Sequence, residues 1–497
     1  MWTKENLQDL IRDKLGDYLF IVVSNREPYE HVFHRGKIVC RRSAGGLVTA
    51  LDPVMQACHG LWIAAASADA DHKVTDASGK VMVPEENPSY TLKRIWLTKE
   101  EEEQYYYGFS NEALWPLCHM VFQRPEFRQE DWDCYAQVNR KFANAILEEI
   151  GDRKAFIWIQ DYHLCLLPKY LKEMAPNQLI LAQFWHIPWP NYEAFRICPQ
   201  RREILDGLLA NDLLGFHIRY HCHNFLDVID RELESKIDRE KFSVTRAEHE
   251  TLIRPYPISI DFQGIDQDVN SPPVVNAHKN LIDEFDLAGK KVILGIDRMD
   301  YTKGIPERIL AIDQMLEQHP ELKEKVVFLQ KGVLSRLHLA QYKDLNDRVQ
   351  ASVEQVNWKH STTKWKPIIL VKRHMTQEEI IALYRLCDVC VVSSLHDGMN
   401  LVAKEFIASR HDEDGCLVLS HFTGSARELP DAVLINPYDR VEFGNGIYKA
   451  LTMNDAERKK RMVKMRAAIS SNNIFRWAAK VISELLKFEF KEQVVAL

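Results

Sequence analysis

Short apolar runs alternate with amphipathic helical patterns along most of this chain, and this alternation constrains the fold more than any other feature. It is typical of parallel sheets whose strands are joined by helical crossovers. A stretch around Ile253–Asn280, rich in Pro, Ser and Asp, separates the runs into two sets. We therefore predict an α/β chain with two Rossmann-like domains. The apolar runs are Leu19–Val23, Phe156–Ile159, Leu179–Phe184, Leu213–Phe216, Val292–Ile296, Val326–Leu329, Ile368–Val371, Val389–Val392 and Leu417–Leu419.

Composition narrows the function classes. With 64 Lys and Arg against 71 Asp and Glu, the net charge of −7 gives no electrostatic reason to bind nucleic acid or an anionic membrane. No apolar run is long enough to span a bilayer, and the N-terminus lacks a secretory pattern, so we expect a cytoplasmic protein.

The ten cysteines are scattered, and the one CxxC, Cys387–Cys390, lies in an apolar run without flanking ligands. Core packing is the favoured interpretation, and no metal is predicted.

Polar residues directly after apolar runs are the first candidates for a site, because ligands bind beyond the carboxyl ends of parallel strands. Strand ends from both halves of the chain are expected to converge on one cleft. The segments concerned are Ser24–Arg26, Gln160–His163, His186–Pro188, Asp297–Arg298 and Asp397–Gly398.

Two loops carry groups suited to phosphate. Gly45 and Gly46 precede a helical pattern, so their amides could face a phosphate, although such a pair is more often a plain turn. Arg298 and Lys303 lie between a strand and the next helix, where Gly304 can take a turn conformation. Two cations there suit a diphosphate and would stabilise charge on a departing nucleotide, whereas a solvated loop is the alternative.

The segment Asp397–Glu405 follows a strand and opens a helix, which places free amides at a positive helix end. Asp397 is suited to sugar hydroxyls and Glu405 to a ribose, and an ordinary capped helix start is the alternative. The aromatic segment Tyr105–Trp115 could cover the apolar face of a sugar, although core packing would explain many of its rings.

Taken together, these segments resemble glycosyltransferase family 20, the trehalose-6-phosphate synthases and their relatives, from about Ile21 to Ala468. The matching motifs are Val-Ser-Asn-Arg, Ala-Gly-Gly-Leu, Gly-Phe-Ser-Asn with Leu-Trp-Pro, Asp-Tyr-His, His-Ile-Pro, Asp-Leu-Leu-Gly-Phe-His, Asp-Arg-Met-Asp-Tyr-Thr-Lys-Gly, Asp-Gly-Met-Asn-Leu-Val-Ala-Lys-Glu and Asn-Pro-Tyr.

The resemblance implies a GT-B fold, with two Rossmann-like domains facing a deep cleft. Residues 1–258 would bind the acceptor, residues 259–473 would bind the nucleotide sugar, and a helix in 474–497 would cross back to the first domain. It also implies transfer of glucose, with retention, from a nucleotide donor, usually UDP-glucose, to glucose 6-phosphate. The product would be trehalose 6-phosphate, in the biosynthesis of the osmolyte trehalose, and neither a cofactor nor a metal would be needed.

The family's roles carry over to matching positions. Catalytic positions would be Arg298, Lys303, Asp397 and His186, of which the last two would position the transferred glucose. The donor would be bound by Gly46, Arg298, Lys303, Met399, Asn400, Leu401, Val402 and Glu405. The acceptor would be bound by Arg26, Tyr106, Trp115, Asp161 and Arg336, and the two arginines suit its phosphate charge.

Some segments depart from the family pattern and leave alternatives open. Trp62–Ala66 lacks a second Trp that is usual near the acceptor, and His396 stands where Arg is usual. The segment Arg26–Tyr29 is similar to glucosylglycerol-phosphate synthases, which use ADP-glucose and glycerol 3-phosphate. A catalytically silent sugar-phosphate sensor is a third candidate. The nucleotide base, the regulation and the oligomeric state, including a homo-oligomer, stay open.

Overall fold

The computed structural model describes residues 2–16, 18–43, 45–333, 336 and 338–490. In it the chain divides into two units: an N-terminal unit, Trp2–Ile258 with the segment that begins at Ile474, and a C-terminal unit, Ser259–Asn473. Residues 1 and 491–497, which the sequence assigns to the first domain and the final helical segment, lie outside the described residues. Among the helices described, none has the length and apolar character needed to cross a bilayer.

The N-terminal unit is built on a ten-stranded sheet in the order β10-β11-β12-β9-β8-β7-β1-β4-β6-β5. All neighbours in it are parallel except β10–β11, β11–β12 and β5–β6, and β2 with β3 forms a separate antiparallel hairpin. The strands are β1 Leu19–Arg26, β2 Tyr29–His34, β3 Lys37–Arg42, β4 Leu61–Ala65, β5 Lys80–Val83, β6 Tyr90–Ile95, β7 Ala155–Gln160, β8 Leu179–Phe184, β9 Leu213–Phe216, β10 Lys236–Asp238, β11 Ser243–Arg246 and β12 His249–Pro255.

Helices cover this sheet through apolar rows at helical spacing. The longest, Gln129–Ile150, buries Tyr135, Val138, Phe142 and Ile146 on one face. The helices are α1 Lys4–Leu15, α2 Gly46–Cys58, α3 Asp71–Val74, α4 Lys99–Glu101, a π-helical segment Glu102–Leu114, α5 Trp115–His119, α6 Gln129–Ile150, α7 Leu167–Met174, α8 Tyr192–Phe195, α9 Arg201–Leu208, α10 Arg219–Glu232 and the C-terminal helix Ile474–Leu485.

The C-terminal unit has a six-stranded, wholly parallel sheet in the order β15-β14-β13-β16-β17-β18. Its strands are buried on both faces, as expected for a parallel sheet between helical layers. The strands are β13 Lys291–Arg298, β14 Val326–Val333, β15 Ile368–Val371, β16 Val389–Val392, β17 Cys416–Ser420 and β18 Val433–Ile435.

The predicted separator Ile253–Asn280 is less irregular than its composition suggests. It contains the end of β12 and two helix starts, one capped by the Asp261 side chain and one opened by Pro272. The boundary between the units falls between Ile258 and Ser259. The helices of this unit are α11 Phe262–Asp268, α12 Pro272–Glu284, α13 Ile305–Gln318, α14 Ala340–His360, α15 Gln377–Leu386, α16 Leu401–Ser409, α17 Arg440–Thr452 and α18 Asp455–Ser471.

Candidate active site

In the N-terminal unit, three predicted site residues follow three strands that are direct neighbours in the sheet. Arg26 ends β1, Asp161 follows β7 and His186 lies just after β8. Because these strands are parallel, their carboxyl ends lie at one edge of the sheet. A register shift between Ser24 and Arg26 marks a β-bulge at the end of β1. Bulges of this kind are common next to active sites, where they change the direction in which a side chain points.

Asp161 is held in a backbone conformation that is costly for any residue with a side chain. Its φ of 71° and ψ of −177° fall in a region populated almost only by glycine. Three hydrogen bonds hold it there: Asp161 N donates to Phe184 O at 2.7 Å, Gln183 Nε2 donates to Asp161 O at 2.9 Å, and His186 N donates to Asp161 Oδ1 at 3.1 Å. The carboxylate of Asp161 and the backbone of His186 are therefore fixed together.

His186 is neutral at physiological pH. Burial, followed by the charge of His163, lowers the pKa of His186 to about 3. His186 Nε2 lies 2.9 Å from Gln160 Oε1, which only accepts hydrogen bonds, so Nε2 carries the proton and Nδ1 is the acceptor. The ring lies 4.6 Å from the Phe184 ring. An uncharged, oriented imidazole of this kind suits positioning of a neutral hydroxyl group.

An aromatic cluster joins Asp161 to the predicted Tyr106 and Trp115. The Tyr106 ring stacks on His163 at 5.7 Å and 17°, His163 lies 4.1 Å from Tyr162, and Tyr162 lies 5.9 Å from Trp115. Tyr106 belongs to the π-helical segment, and π-helical turns occur frequently at functional sites. The structure thus brings Tyr106, Trp115 and Asp161 into one contiguous group, while Trp115 itself is largely buried.

The glycine pair lies beside Arg26. Gly45 has φ 156° and precedes α2, whose first residue is Gly46, and no side chain of the described residues caps this helix start. A Cβ at Gly45 would stand 3.9 Å from Arg26 Nη1. The exposed guanidinium of Arg26 therefore lies next to the backbone amides at the start of α2, and such an arrangement favours anion binding.

In the C-terminal unit, the predicted Lys303 and Asp397 form an ion pair. Lys303 Nζ lies 2.6 Å from Asp397 Oδ2, and the same oxygen accepts hydrogen bonds from Ser394 Oγ at 3.1 Å and Asn400 Nδ2 at 3.2 Å. Gly304 makes the turn at φ 62°, and a Cβ there would meet Ser393 O at 2.3 Å. The predicted turn at Gly304 is confirmed.

Asp300 lies close to two further predicted cations, Arg298 and Arg336. Its carboxylate is fully buried and lies 3.9 Å from Arg298 Nη2 and 3.8 Å from Arg336 Nη1. Burial raises the pKa of Asp300, but the charges of Arg298 and Arg336 outweigh it and hold the pKa below its usual value. Arg298, predicted for the donor, and Arg336, predicted for the acceptor, therefore belong to one cluster of this unit. The Asp300 carboxylate faces both arginines, and it was not among the predicted site residues.

Helix α16 begins at this same edge. Asn400 caps it by accepting from Ala403 N at 3.1 Å, with Met399 buried before it and Leu401 and Val402 in the first turn. Glu405 lies one turn into the helix. Burial raises the pKa of Glu405, and Tyr384 OH donates to its Oε2 at 2.9 Å. Free amides and an oriented carboxyl group thus share one helix end.

A group that could hold a metal ion lies elsewhere. Among the described residues, His31, Cys40 and Glu85 bring ligand atoms within 4.8 Å of one another. Arg94 Nη2, however, lies 2.8 Å from His31 Nδ1 and faces that side of the ring with a positive charge. This group includes none of the predicted site residues. Cys387 and Cys390 are both buried, which confirms their interpretation as core residues.

Comparison with known proteins decides the family. The sequence model described as Glycosyltransferase family 20 matches residues 18–487. The chain belongs to glycosyltransferase family 20. This glycosyltransferase is 35% identical to a trehalose-6-phosphate synthase of Mycobacterium ulcerans over 97% of the chain and 96% of that protein. It is 36% identical to a trehalose-6-phosphate synthase of Mycolicibacterium vanbaalenii over 95% of the chain and 96% of that protein.

Solved structures agree with the sequence relatives. A structure described as trehalose-6-phosphate from E. coli bound with UDP-2-fluoro glucose matches with a TM-score of 0.84 and 31% identity, over 95% of this chain and 100% of that one. An α,α-trehalose-phosphate synthase (UDP-forming) from Burkholderia xenovorans in complex with glucose-6-phosphate matches with a TM-score of 0.84 and 28% identity. That match covers 94% of this chain and 99% of the other. The predicted GT-B fold, with two Rossmann-like domains, is confirmed.

Sequence reasoning missed the residues that support the site. Gln160, His163, Asp300 and Tyr384 each contact a predicted residue of the glycosyltransferase, and none had been assigned a role. Gln160 and His163 lie in a candidate segment after a predicted strand, and Asp300 lies inside the motif Asp-Arg-Met-Asp, so their positions could have suggested a role. Tyr384 lies 21 residues from Glu405 and carried no sequence signal.

Proposed function

We propose that this glycosyltransferase transfers glucose, with retention, from UDP-glucose to glucose 6-phosphate and releases UDP and trehalose 6-phosphate. The observation that carries the proposal is the cluster of Lys303, Asp397, Arg298 and Arg336 at one edge of the C-terminal sheet. Its cations match the diphosphate of a nucleotide sugar and the phosphate of a sugar phosphate. The related structures with UDP-2-fluoro glucose and with glucose-6-phosphate support this pair of substrates.

The donor would be held by groups of the C-terminal unit. Arg298 and Lys303 would bind the diphosphate together with amides at the start of α16, and Glu405, oriented by Tyr384, would accept hydrogen bonds from the ribose. Asp397 would bind the glucose hydroxyls. Gly46 of the N-terminal unit would add a backbone amide toward the diphosphate.

The acceptor would be held mainly by the aromatic cluster of the N-terminal unit. Tyr106 and Trp115 would cover the sugar ring, and Asp161 would accept from a hydroxyl group. Arg26 and Arg336 would bind the phosphate. Neutral His186 would orient the transferred glucose through its Nδ1 or backbone atoms.

In the reaction, the acceptor hydroxyl oxygen would bond to C1 of glucose from the face that the diphosphate leaves. The bond between C1 and the diphosphate oxygen breaks, and the hydroxyl proton passes to that leaving oxygen. Arg298 and Lys303 would stabilise the negative charge that grows there, a contribution of about 3 to 4 kcal/mol for a well-placed donor. We propose that these two cations make a metal unnecessary.

A matrix of substrates tests the proposal. Purified protein is incubated with UDP-, ADP- or GDP-glucose and with glucose 6-phosphate or glycerol 3-phosphate, in buffer with and without EDTA, and nucleotide release and product mass are followed. We expect trehalose 6-phosphate from UDP-glucose and glucose 6-phosphate, at equal rates with EDTA. Product from ADP-glucose and glycerol 3-phosphate alone would assign the sister activity. Binding of glucose 6-phosphate without any nucleotide release would indicate a sensor.

Variants connect the activity to the cluster. Lys303→Ala and Arg336→Ala should each lower kcat/KM by about 100-fold or more, because each removes a charge that contacts a phosphate in the transition state. Arg373→Ala removes a cation of the same unit that pairs with Glu284 and Glu379 on the surface, and should leave kcat/KM unchanged. Equal kinetics for all three variants would contradict the assigned roles.

A further inference from the structure

Asn111 lies inside the π-helical segment Glu102–Leu114 and is 2% exposed. Both polar atoms of its side chain make hydrogen bonds. Asn111 Nδ2 donates to Tyr106 O at 2.6 Å, and Asn111 Oδ1 accepts from Tyr162 OH at 3.0 Å. One buried amide therefore joins two segments that carry predicted acceptor residues, because Tyr106 is one of them and Tyr162 directly follows Asp161.

The separation of Asn111 and Tyr106 along the chain is that of a π-helix. Backbone hydrogen bonds in such a helix join residues five positions apart, and these two residues are separated by five. The side chain of Asn111 therefore lies beside the carbonyl group one turn before it. π-Helical structure is rare and mostly limited to single turns, yet this segment runs for 13 residues. Side-chain hydrogen bonds to its carbonyl groups are one source of the stability that so long a segment needs.

A second contact ties the same segment to helix α6. A Cβ at Gly108 would collide with the Asp131 carboxylate, so the close approach depends on glycine. Asp131 Oδ2 accepts from Arg128 Nη1 at 3.0 Å, and the same Nη1 donates to Glu112 Oε2 at 2.7 Å. The π-helical segment is thus tied to the start of α6 at Gly108 and Glu112, and to the turn after β7 at Asn111.

The Tyr106 ring lies where the π-helical segment meets the turn after β7. It stacks on His163 at 5.7 Å and 17°, and the His163 ring stacks on Tyr162 at 4.1 Å and 28°. Stacked rings tolerate a lateral offset, whereas hydrogen bonds require a defined distance and angle. The two hydrogen bonds of Asn111 therefore define the lateral position of the Tyr106 ring relative to the turn that begins at Asp161.

We propose that Asn111 is a positioning residue for the acceptor, which fixes the separation between the Tyr106 ring and the Asp161 carboxylate so that both meet one sugar. This inference rests on the proposed function, in which Tyr106 covers the sugar ring and Asp161 accepts from one of its hydroxyl groups. Because Asn111 is 2% exposed, it acts through these two residues and not by contact with the substrate. A change at Asn111 should therefore alter KM for glucose 6-phosphate and leave KM for the nucleotide sugar unchanged.

Steady-state kinetics and calorimetric titration of the full chain test this role. Asn111→Asp keeps the size of the side chain and the acceptor for Tyr162 OH, but it places an oxygen where the amide donated to Tyr106 O. We expect KM and Kd for glucose 6-phosphate to rise about tenfold, because a displacement of about 1 Å costs about 100-fold in rate and a smaller one costs less. Asn357→Asp makes the same change at an amide of the C-terminal unit that also bonds backbone groups, and should leave both KM values unchanged.

The variant Tyr162→Phe separates positioning from stability. It removes the hydroxyl group that bonds Asn111 Oδ1 and keeps the ring. If this hydroxyl acts on the acceptor through Asn111, its loss should raise KM for glucose 6-phosphate in the wild-type chain and have little further effect in an Asn111→Ala chain. Additive effects of the two changes would overturn the proposal. So would a lowered melting temperature of Asn111→Asp with both KM values unchanged, because that result would indicate a purely structural amide.

Measurements on wild type distinguish failure of this inference from failure of the proposed function. Formation of trehalose 6-phosphate by wild type, with equal Kd for glucose 6-phosphate in wild type and Asn111→Asp, would overturn the positioning role alone. Failure of wild type to bind glucose 6-phosphate would overturn the proposed acceptor and the positioning role with it.

Discussion

One buried guanidinium organises the turn that carries Lys303. Arg308 is fully buried, and its Nη1 donates to Asp297 Oδ2 at 2.7 Å and to Gln330 Oε1 at 2.8 Å. Its Nε donates to Ser393 Oγ at 3.0 Å, and Ser393 Oγ lies 3.1 Å from Lys303 O and 3.0 Å from Gly304 O. Arg308 therefore acts on the candidate site through Ser393, as a positioning residue.

The change Ser393→Ala should raise KM for the donor. It frees the turn that presents Lys303, and because a misplacement of about 1 Å costs about 100-fold in rate, a smaller displacement of this cation should cost less than that. We expect about a tenfold fall in kcat/KM for the nucleotide sugar, with KM for the acceptor unchanged. Ser243→Ala removes a comparably buried hydroxyl from the N-terminal unit and serves as control. A fall in both variants would contradict the positioning role.

His186 should make stability depend on pH. Its pKa is about 3 in the folded chain against 6.5 in the unfolded chain, so the unfolded chain takes up the proton first as pH falls. The stability that His186 contributes is complete above pH 6.5 and is lost as pH falls toward 3. Between pH 7 and 5 we expect wild type to lose about 2 kcal/mol more apparent unfolding free energy in urea than His186→Gln. Equal losses would contradict a depressed pKa.

At the scale of elements, α16 starts from a strained residue. Asn400 has φ 151° and ψ 105° while its side chain caps the helix. Asn400→Gly keeps the backbone conformation and loses the cap, whereas Asn400→Ala loses the cap and keeps the strain. We expect Asn400→Gly to cost a few tenths of a kcal/mol to 1 kcal/mol, and Asn400→Ala about 1 to 2 kcal/mol more. Urea unfolding of both variants measures this, and an alanine variant as stable as the glycine variant would show that the backbone relaxes.

Buried parallel strands were predictable, whereas the short antiparallel edge strands of the large sheet were not. The runs Leu179–Phe184 and Val389–Val392 coincide with β8 and β16, because central strands covered on both faces must be continuously apolar. The strands Lys80–Val83 and Lys236–Asp238 lie at the two edges of the large sheet and pair antiparallel. They are only four and three residues long, and each begins with a lysine, so neither was recognised as an apolar run. Strand β4, Leu61–Ala65, was missed because alanines end it.

At the scale of the whole chain, the resemblance named the predicted site residues but not the residues that contact them. Lys303 and Asp397 are 94 residues apart, and Arg308 and Ser393 are 85 apart, so both contacts arise only when neighbouring parallel strands bring their ends together. The first pair could be predicted because motifs mark both residues. The second could not, since a buried arginine in a helix has no distinctive sequence pattern.

The division of the chain into two units predicts where each substrate slows amide exchange with solvent. Nucleotide sugar should protect peptides that cover 298–303 and 397–405, because the predicted donor groups lie in the C-terminal unit. Glucose 6-phosphate should protect peptides that cover 106–115 and 161–163, where the aromatic cluster lies. Hydrogen–deuterium exchange of wild type measures both, with Lys303→Ala as a control that should lose only the donor effect. Protection by the nucleotide sugar confined to the aromatic cluster would reverse the assignment of donor and acceptor to the two units.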